Sequence, residues 1–263
     1  MTFIRLTGVL ILISPIYMLP SIRMAVADTE SISTPWQAMD KYDGNQSDDV
    51  FKDQFDDKVE EPTVADPLEK LNRGIFWFND KVYFYALKPV ARVVRVVPEP
   101  VRTSVGNAFH NIAAPIRIVN ATFQLKFHDA GTELGRFVIN STIGILGLFD
   151  PAGHYFGLKP KEADFGQTLA HYGVGQGVYI VLPFLGPSSL RDATGTFTDV
   201  FFDPVYYLTD KQTKEIIEVK ATEVVNTVSL DKDTYEAIKL EALDPYVVIR
   251  SAYAQHRAAK VQE

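Results

Sequence analysis

The segment from Asp66 to Asn79, D-P-L-E-K-L-N-R-G-I-F-W-F-N, places the strongest constraint on the fold. It starts like a helix, because Asp66 is a good cap residue and proline at position 67 suits the first helical position. Leu71, Ile75 and Phe78 then recur at helical spacing. Ring-bearing residues cover the other sides: Phe76, Trp77, Tyr83 and Phe84. A helix that is apolar nearly all round is expected inside a large core or against lipid.

The first 27 residues have the pattern of a secretory signal peptide. Arg5 gives a basic start, residues 6–19 are mostly apolar, and residues 25–27, Ala-Val-Ala, have the small-x-small form of a cleavage site. The alternative is an uncleaved anchor, but the apolar run is shorter than the roughly 20 residues that a spanning helix needs. We therefore predict cleavage before Asp28.

Charge divides the rest of the chain. Residues 28–66 hold twelve Asp or Glu residues against Lys41, Lys52 and Lys58, a net charge of −9. Residues 67–263 are electrically balanced. Low hydrophobicity with a high density of like charge predicts an acidic, disordered leader over residues 28–65. Such a leader is either a tether for a partner or simply a solvated segment.

The sequence contains no cysteine. This excludes disulfides, thiol nucleophiles and thiolate metal sites within it. It also predicts an exported protein that is not a cysteine-lipidated lipoprotein.

Hydrophobic periodicity predicts a mainly α fold, because no long stretch alternates with period two. Prolines at Lys88-Pro89 and within residues 98–100 are expected to break the chain. Helices are predicted over residues 101–113, 116–127, from Asp129 onward, 161–172, 188–202, 214–228 and 234–257. On the helix over 214–228, lysines and glutamates are expected to face outward. The apolar run over 178–185 is expected to be a short strand or a loop.

One apolar stretch permits two interpretations. Residues 140–149, N-S-T-I-G-I-L-G-L-F, contain Gly144 and Gly147 and end at Asp150-Pro151. The stretch is too short to span a bilayer as a helix. It is either a buried core helix with close glycine packing or a hairpin that lies at membrane depth.

Enzymatic motifs are absent from the sequence. Its histidines form no H-E-x-x-H pair, so no metal site is predicted. His171, Asp164 and Ser188 allow a triad to be imagined, but no G-x-S-x-G elbow places a serine at a strand-to-helix turn. The glycines of residues 173–177, G-V-G-Q-G, are interpreted as a turn rather than a phosphate cradle. We therefore predict no enzyme, no catalytic residue and no cofactor.

Several longer motifs carry more information than these fragments. They are D-P-L-E-x-x-N-R-x-x-x-x-F-N at 66–79, R-F-x-I-N-S-T-I-G-I-x-G-x-x-D-P-A at 136–152, D-F-G-Q-T-L-x-x-Y-G-V-G at 164–175, L-P-F-x-G-P-S-S-x-R-D at 182–192 and D-P-Y-x-x-x-R-x-x-Y at 244–253. In this order they resemble the MlaA family, also called VacJ, of Gram-negative outer-membrane phospholipid-transport proteins. They cover most of residues 66–255.

The resemblance implies a single helical disc or ring-shaped domain with an amphipathic channel, embedded in the periplasmic leaflet of the outer membrane. Phospholipid removed from the outer leaflet would pass through the channel to a periplasmic lipid-carrier protein, which maintains lipid asymmetry. Porin trimers are the other implied partner, and nucleic acid is not. The alternative function is that of a soluble periplasmic scaffold that binds envelope proteins.

The motifs also provide candidate site residues. Candidates for the path of the lipid headgroup are Asn72, Arg73, Asn79, Arg136, Asn140, Gly144 and Gly147. Candidates for contact with lipid tails are Phe76, Trp77 and Phe84. The competing interpretation assigns the polar side chains to local capping or pairing and the glycines to close packing.

The predicted organisation has four parts. A signal peptide over 1–27 and an acidic leader over 28–65 precede a helical domain over 66–257, and a short tail over 258–263 follows it.

Overall fold

The computed structural model describes residues 64–209 and 213–263. The predicted signal peptide and nearly all of the acidic leader lie outside these residues. The prediction of a mainly α fold is confirmed, since the described residues form helices and one small sheet. The α-helices are α1 Glu69–Val82, α2 Lys88–Val94, α3 Glu99–Ile112, α4 Ala114–Phe123, α5 Phe127–Thr142, α6 Pro151–His154, α7 Phe165–His171, α8 Leu190–Asp199, α9 Pro204–Leu208, α10 Thr213–Leu230, α11 Thr234–Glu241 and α12 Pro245–Gln262.

Asp66 does not cap the first helix, so this prediction is wrong. Leu68 precedes α1 and provides no side-chain cap. The Asp66 carboxylate instead accepts hydrogen bonds from Asn72 Nδ2 at 2.8 Å, from the Tyr246 hydroxyl and from Arg250 Nη1 at 3.0 Å. Partners from the far end of the chain have replaced the local one.

The predicted break at Lys88-Pro89 is also absent. A π-helical turn, Tyr83–Leu87, joins α1 to α2 without interruption. The Lys88 N–H donates to the Tyr83 carbonyl, five residues earlier. This wider turn accommodates a proline that would disrupt an ordinary α-helical turn. Helical structure is first interrupted after Val94, and α3 begins at Glu99.

The apolar run after residue 178 forms a short hairpin. Strand β1, Tyr179–Leu182, pairs antiparallel with β2, Gly186–Ser189, and Tyr179 lies opposite Ser189. The Ser189 hydroxyl then accepts a hydrogen bond from the Asp192 N–H at 3.1 Å. The predicted serine cap of the following helix is therefore confirmed.

Residues 140–142 end helix α5 and residues 143–149 form a turn, so the interpretation of the whole stretch as a buried helix is wrong. Helix α5 ends at Thr142, and Ile145 and Leu146 have positive φ angles of 54° and 57°. Its large apolar side chains face outward, with 76% of Leu146 and 55% of Phe149 exposed. Residues 143–149 are called the apolar hairpin below.

The distribution of side chains is inverted relative to that of a water-soluble protein. Among the described residues, buried polar and charged residues outnumber buried apolar ones. Large apolar side chains are exposed throughout the part of the chain that the structure describes, including Tyr85 at 77%, Val96 at 85% and Leu208 at 75%. Soluble proteins rarely bury charge and rarely expose extended apolar surface.

The C-terminal residues belong to the last helix. Residues 258–262, predicted as a tail, complete α12, and Lys260 is buried. Within residues 64–209 and 213–263, no helix combines the length and the apolar character needed to cross a bilayer.

Candidate functional site

A polar cavity of about 340 Å³ lies among helices from both halves of the chain. Helices α3, α4, α7, α8, α10 and α12 and the β hairpin contribute its walls. Apolar side chains such as Phe109 and Leu185 line part of it, and charged side chains line much of the rest. The cavity is therefore amphipathic.

Arg257 on α12 organises one wall of the cavity. Its Nη1 donates to Asp164 at 2.6 Å and its Nη2 to Asp192 at 2.9 Å. The Tyr253 hydroxyl donates to the other oxygen of Asp192 at 2.5 Å. Burial alone would raise the pKa of Asp192, but the adjacent guanidinium of Arg257 lowers this pKa overall. Asp192 is therefore a carboxylate, and this wall is a network of charged groups.

Lys220 on α10 organises a second wall. Its ammonium lies 2.8 Å from Asp203 and 3.3 Å from Glu223. Burial would lower its pKa, but these carboxylates raise it overall, so Lys220 is charged. The expectation that lysines and glutamates of this helix face outward is wrong for Lys220 and Glu223, because their charges neutralise each other inside the protein.

Asp199 at the end of α8 differs from the other carboxylates of the cavity. It is 4% exposed and accepts hydrogen bonds from Asn120 Nδ2 at 2.7 Å and from the Phe165 N–H at 3.1 Å. Burial, reinforced by the nearby charge of Asp164, raises the pKa of Asp199 to about 7. This side chain is poised to titrate near neutral pH.

Arg117 and His110 complete the lining on the side of α3 and α4. Arg117 Nε donates to the fully buried Glu133 at 2.7 Å. Burial, together with the Arg117 charge, lowers the pKa of His110 to about 3. His110 is therefore neutral at physiological pH.

The predicted path residues of the first helix hold it to the β hairpin. Asn72 Nδ2 donates to the Tyr179 carbonyl at 3.0 Å, and its Oδ1 accepts from the Val181 N–H at 2.9 Å. Asn79 makes the equivalent pair of bonds to Leu182 and Phe184, at 2.9 and 2.8 Å. Both amides are thus satisfied by backbone groups.

Arg73 forms ion pairs at the surface. Its guanidinium lies 2.7 Å from Glu69 and 2.7 Å from Asp244, and it stacks 4.4 Å from the centre of the Tyr246 ring. It thereby joins α1 to the start of α12.

The remaining path candidates surround Asp150, behind the apolar hairpin. Arg136 Nη2 and Asn140 Nδ2 donate to Asp150 at 3.0 and 2.9 Å. A side chain at Gly144 would place its Cβ 2.5 Å from the Asn140 carbonyl, and one at Gly147 would meet Asn111 at 2.4 Å. None of the predicted path residues lines the cavity. Their role in lipid passage stays a prediction, and their contacts here are structural.

Comparisons with known proteins identify the family of this chain. The model of the family described as MlaA lipoprotein matches residues 64–260. The chain belongs to the MlaA family. It is 36% identical to the intermembrane phospholipid transport system lipoprotein MlaA of Escherichia coli strain K12, over 73% of this chain and 76% of that one. A protein of the same name from Haemophilus influenzae is 28% identical over 75% and 80% of the two chains.

A solved structure, published as "Structural basis for maintenance of bacterial outer membrane lipid asymmetry", has the same fold. The TM-score is 0.65 at 34% identity, over 75% of this chain and 99% of that chain. The resemblance drawn from the motifs is therefore confirmed.

One prediction must be corrected. We predicted a protein that is exported by a cleaved signal peptide and, because the sequence contains no cysteine, is not a lipoprotein. Members of the MlaA family from E. coli, Shigella flexneri and H. influenzae are named lipoproteins. The absence of cysteine therefore does not separate this chain from the lipoproteins of its family, and the prediction is wrong.

The ring candidates separate into two groups. Trp77 is 62% exposed. Phe76 packs edge-on against Tyr246, with centroids 5.7 Å apart, and Phe84 lies 6.0 Å from the Tyr235 ring. These two rings are partly buried against the core, unlike the outward orientation predicted for them, because the C-terminal helices cover that side of α1.

Sequence reasoning missed the residues that do line the cavity. The signal was present as polar stripes on three helices: Asp192, Thr196 and Asp199 on α8; Lys220, Glu223 and Thr227 on α10; and Tyr253, His256, Arg257 and Lys260 on α12. Each stripe follows helical spacing. Of these stripes only the lysines and glutamates of the helix over 214–228 had been assigned a side, the solvent side, whereas the stripes of all three helices line the cavity.

The imagined catalytic triad does not assemble. Asp164 pairs with Arg257, and the buried Ser188 hydroxyl donates to the neighbouring Ser189 carbonyl at 3.3 Å. Exposed His171 hydrogen-bonds to neither Asp164 nor Ser188 in the structure. Over residues 64–209 and 213–263, no group of His, Asp and Glu side chains is arranged to hold a metal ion.

Proposed function

We propose that this protein removes phospholipid from the outer leaflet of the outer membrane and passes it through the polar cavity to a periplasmic carrier, which maintains lipid asymmetry. The observation that carries the proposal is the inverted distribution of side chains. Many large apolar side chains are exposed on the surface, and charged residues form part of the lining of a cavity. The names of the E. coli and H. influenzae relatives point to the same activity.

The physical problem in moving a phospholipid is its headgroup. Taking a charged phosphate into an apolar environment without partners costs several kcal/mol. Hydrogen-bonding groups on α8, α10 and α12 replace the water that the headgroup loses. The exposed apolar surface supports a position of that cavity at membrane depth, with the acyl chains remaining in lipid.

The apolar hairpin is the best candidate for the deepest part of the membrane contact. Five of its residues are large and exposed: Ile143, Ile145, Leu146, Leu148 and Phe149. Burying apolar side chains in lipid contributes about 1.5–3 kcal/mol each. We propose that Gly144 and Gly147 fix the shape of this turn and that Asn72, Asn79, Arg136 and Asn140 position the elements around the cavity.

Filling the cavity tests the proposal. Thr196 lines it, whereas Thr194 on the same helix is exposed. Each hydroxyl donates to the carbonyl four residues earlier, at 3.0 and 2.8 Å. Thr196→Trp should leave phospholipid in the outer leaflet of an E. coli strain that lacks its own MlaA, measured as lipid accessible to external phospholipase. The unmodified chain and Thr194→Trp should clear it.

Two results would contradict the proposal. One is full clearance by Thr196→Trp, which would place the lipid path elsewhere. The other is release of the unmodified protein from membranes by a salt wash, which would favour a soluble periplasmic scaffold. An embedded protein requires detergent for extraction.

We further propose that porin trimers and a soluble lipid carrier are the partners and that the protein catalyses no covalent change. Translocation needs only a polar path and a receiver for the lipid. Crosslinking in intact envelopes should therefore yield porin adducts and carrier adducts, and purified protein should return phospholipids chemically unaltered.

A further inference from the structure

The charge of the cavity bears on which phospholipids enter it, an argument that rests on the proposed function. The lining carries the carboxylates of Glu162, Asp164, Asp192, Asp199, Asp203 and Glu223. Its cations are fewer: Arg117, Lys220, Arg257 and Lys260. Behind the lining, Glu133 pairs with Arg117 and Arg191 pairs with Asp192, and these two charges cancel. Carboxyl groups therefore outnumber cations around the cavity even when Asp199 is protonated, so the cavity has an excess of negative charge.

Each cation of the lining is already paired. Arg257 contacts Asp164 and Asp192, and Lys220 is shared between two carboxylates. Lys260 lies 3.3 Å from Glu162. The phosphate of a headgroup that brings no cation of its own would have to break one of these pairs to find a partner. Breaking a buried ion pair is strongly unfavourable.

Asp199 differs from these cations, because no group of opposite charge forms an ion pair with it among the described residues. It is nevertheless buried and lines the cavity. Its two hydrogen-bond donors, Asn120 and the Phe165 N–H, occupy only part of the capacity of a carboxylate, which has about four acceptor sites. An ammonium group entering the cavity would find an acceptor here that no ion pair occupies, and its charge would favour the ionised form of Asp199.

We propose that the cavity selects phospholipids whose headgroup carries an ammonium group over anionic phospholipids, with Asp199 as the receiving carboxylate. The ammonium offsets the excess negative charge, and the lipid phosphate remains beside the paired cations. Glu223, which shares Lys220 with Asp203, adds to the same attraction. The selected class has the chemistry of phosphatidylethanolamine.

The test measures the lipid that the full-length protein retains. Purified protein is incubated with vesicles of equal phosphatidylethanolamine and phosphatidylglycerol, separated from them, and its bound lipid is quantified by mass spectrometry. We expect phosphatidylethanolamine to be enriched roughly fivefold over the vesicle ratio, the scale of one charge interaction in a well-hydrated site. Asp199→Asn and Glu223→Gln should each lower the enrichment. Glu241→Gln, at an exposed position, should not.

Glu223→Gln is the safer variant, because Lys220 keeps Asp203 as a partner. Bound lipid at the vesicle ratio in the unmodified protein would overturn the selection, as would an enrichment that both charge variants leave intact. Thr196→Trp separates this inference from the proposed function. If that variant retains as much lipid as the unmodified chain, the cavity is not the lipid site and both ideas fail. If only the unmodified chain retains lipid, but at the vesicle ratio, the selection alone fails.

Discussion

At the scale of single residues, buried polar side chains join the helices and the β hairpin alongside the apolar clusters of the core. Asn72 and Asn79 each make a pair of hydrogen bonds to backbone groups of the β hairpin, and Asn140 links α5 to the segment after Asp150. Such bonds are modest in net terms, but a buried group left without a partner costs about 1–3 kcal/mol. These positions therefore require a side chain that can donate one hydrogen bond and accept another, as asparagine does.

Replacing Asn72 by alanine should lower the free energy of unfolding by about 3 kcal/mol, because the Tyr179 carbonyl and the Val181 N–H both lose their partner. Thermal unfolding in detergent measures this. Lys70→Ala, at an exposed position of the same helix, should change stability by less than about 0.5 kcal/mol. An Asn72→Ala protein that is fully stable but fails to clear lipid would instead support the predicted role of Asn72 in the headgroup path.

Asp199 should make stability depend on pH. Its folded pKa of about 7 lies above its ordinary value of 3.8, so the folded state binds more protons between these values. The contribution is complete below about pH 4 and is lost as the pH rises through 7, on the order of 2–4 kcal/mol in all. Asp199→Asn should flatten the pH profile of thermal unfolding between pH 5 and 8, and Glu241→Gln should not. Parallel profiles for native and Asp199→Asn proteins would show that Asp199 does not titrate there.

At the scale of elements, the apolar hairpin illustrates how a turn can hold large apolar side chains away from the core. Three successive residues, Ile145 to Gly147, have positive φ angles. Such angles are costly for residues with a Cβ atom. The turn keeps this conformation because Asn140 and Ser141 accept backbone hydrogen bonds from Gly147 and Leu146 at 2.8 and 3.0 Å.

Gly147→Ala should destabilise the protein by about 3 kcal/mol or more. Its φ angle is 88°, and the added Cβ would lie 2.4 Å from Asn111. Gly173→Ala provides the matched control, since its φ angle is 84° and open space surrounds it, so a loss of only about 1–2 kcal/mol is expected. Thermal unfolding of the two variants side by side measures the difference. Equal losses would mean that the contact with Asn111 relaxes without cost.

At the scale of the whole molecule, one arrangement determines both stability and position in the membrane. Many polar groups are buried, and many large apolar groups are exposed. The ion pairs of the cavity would be a weak source of stability in an ordinary core, because desolvation offsets much of their attraction. In this protein the ion pairs lie in the lining of the cavity, between the helices that form its walls. The outer surface compensates, since lipid contact removes its apolar area from water.

Charges on the apolar hairpin should weaken membrane attachment. Leu146→Asp with Phe149→Asp removes two exposed apolar side chains and adds two charges at membrane depth. We expect at least a tenfold fall in the ratio of membrane-bound to released protein after a high-salt wash, since each apolar side chain contributes about 1.5–3 kcal/mol. His128→Asp with Gln255→Asp changes the same number of exposed positions and should leave the ratio unaffected. Equal release of both double variants would show that added charge, rather than the hairpin, determines release.

The sequence predicted the class of fold and most helix positions, because periodicity and proline or serine signals are local. The helix over 213–230 and the Ser189 cap are examples. It misassigned Asp66, two of whose partners lie 180 and 184 residues away, and the Lys88-Pro89 break, which is absent because a π-helical turn continues the helix there. It also directed Lys220 and Glu223 to solvent. Each error came from applying a rule for soluble proteins or local partners where distant contacts prevail.

What the sequence determined by itself was a helical chain too rich in exposed rings for water, with motifs that assign it to its family. Those properties depend on the order of residues along the chain. What only the tertiary structure decided was which polar residues face the cavity. The asparagines of α1 form hydrogen bonds with the backbone of the β hairpin, whereas charged residues of α8, α10 and α12 line the cavity. Convergence of helices distant in sequence has no local signature, because each polar stripe alone is compatible with solvent.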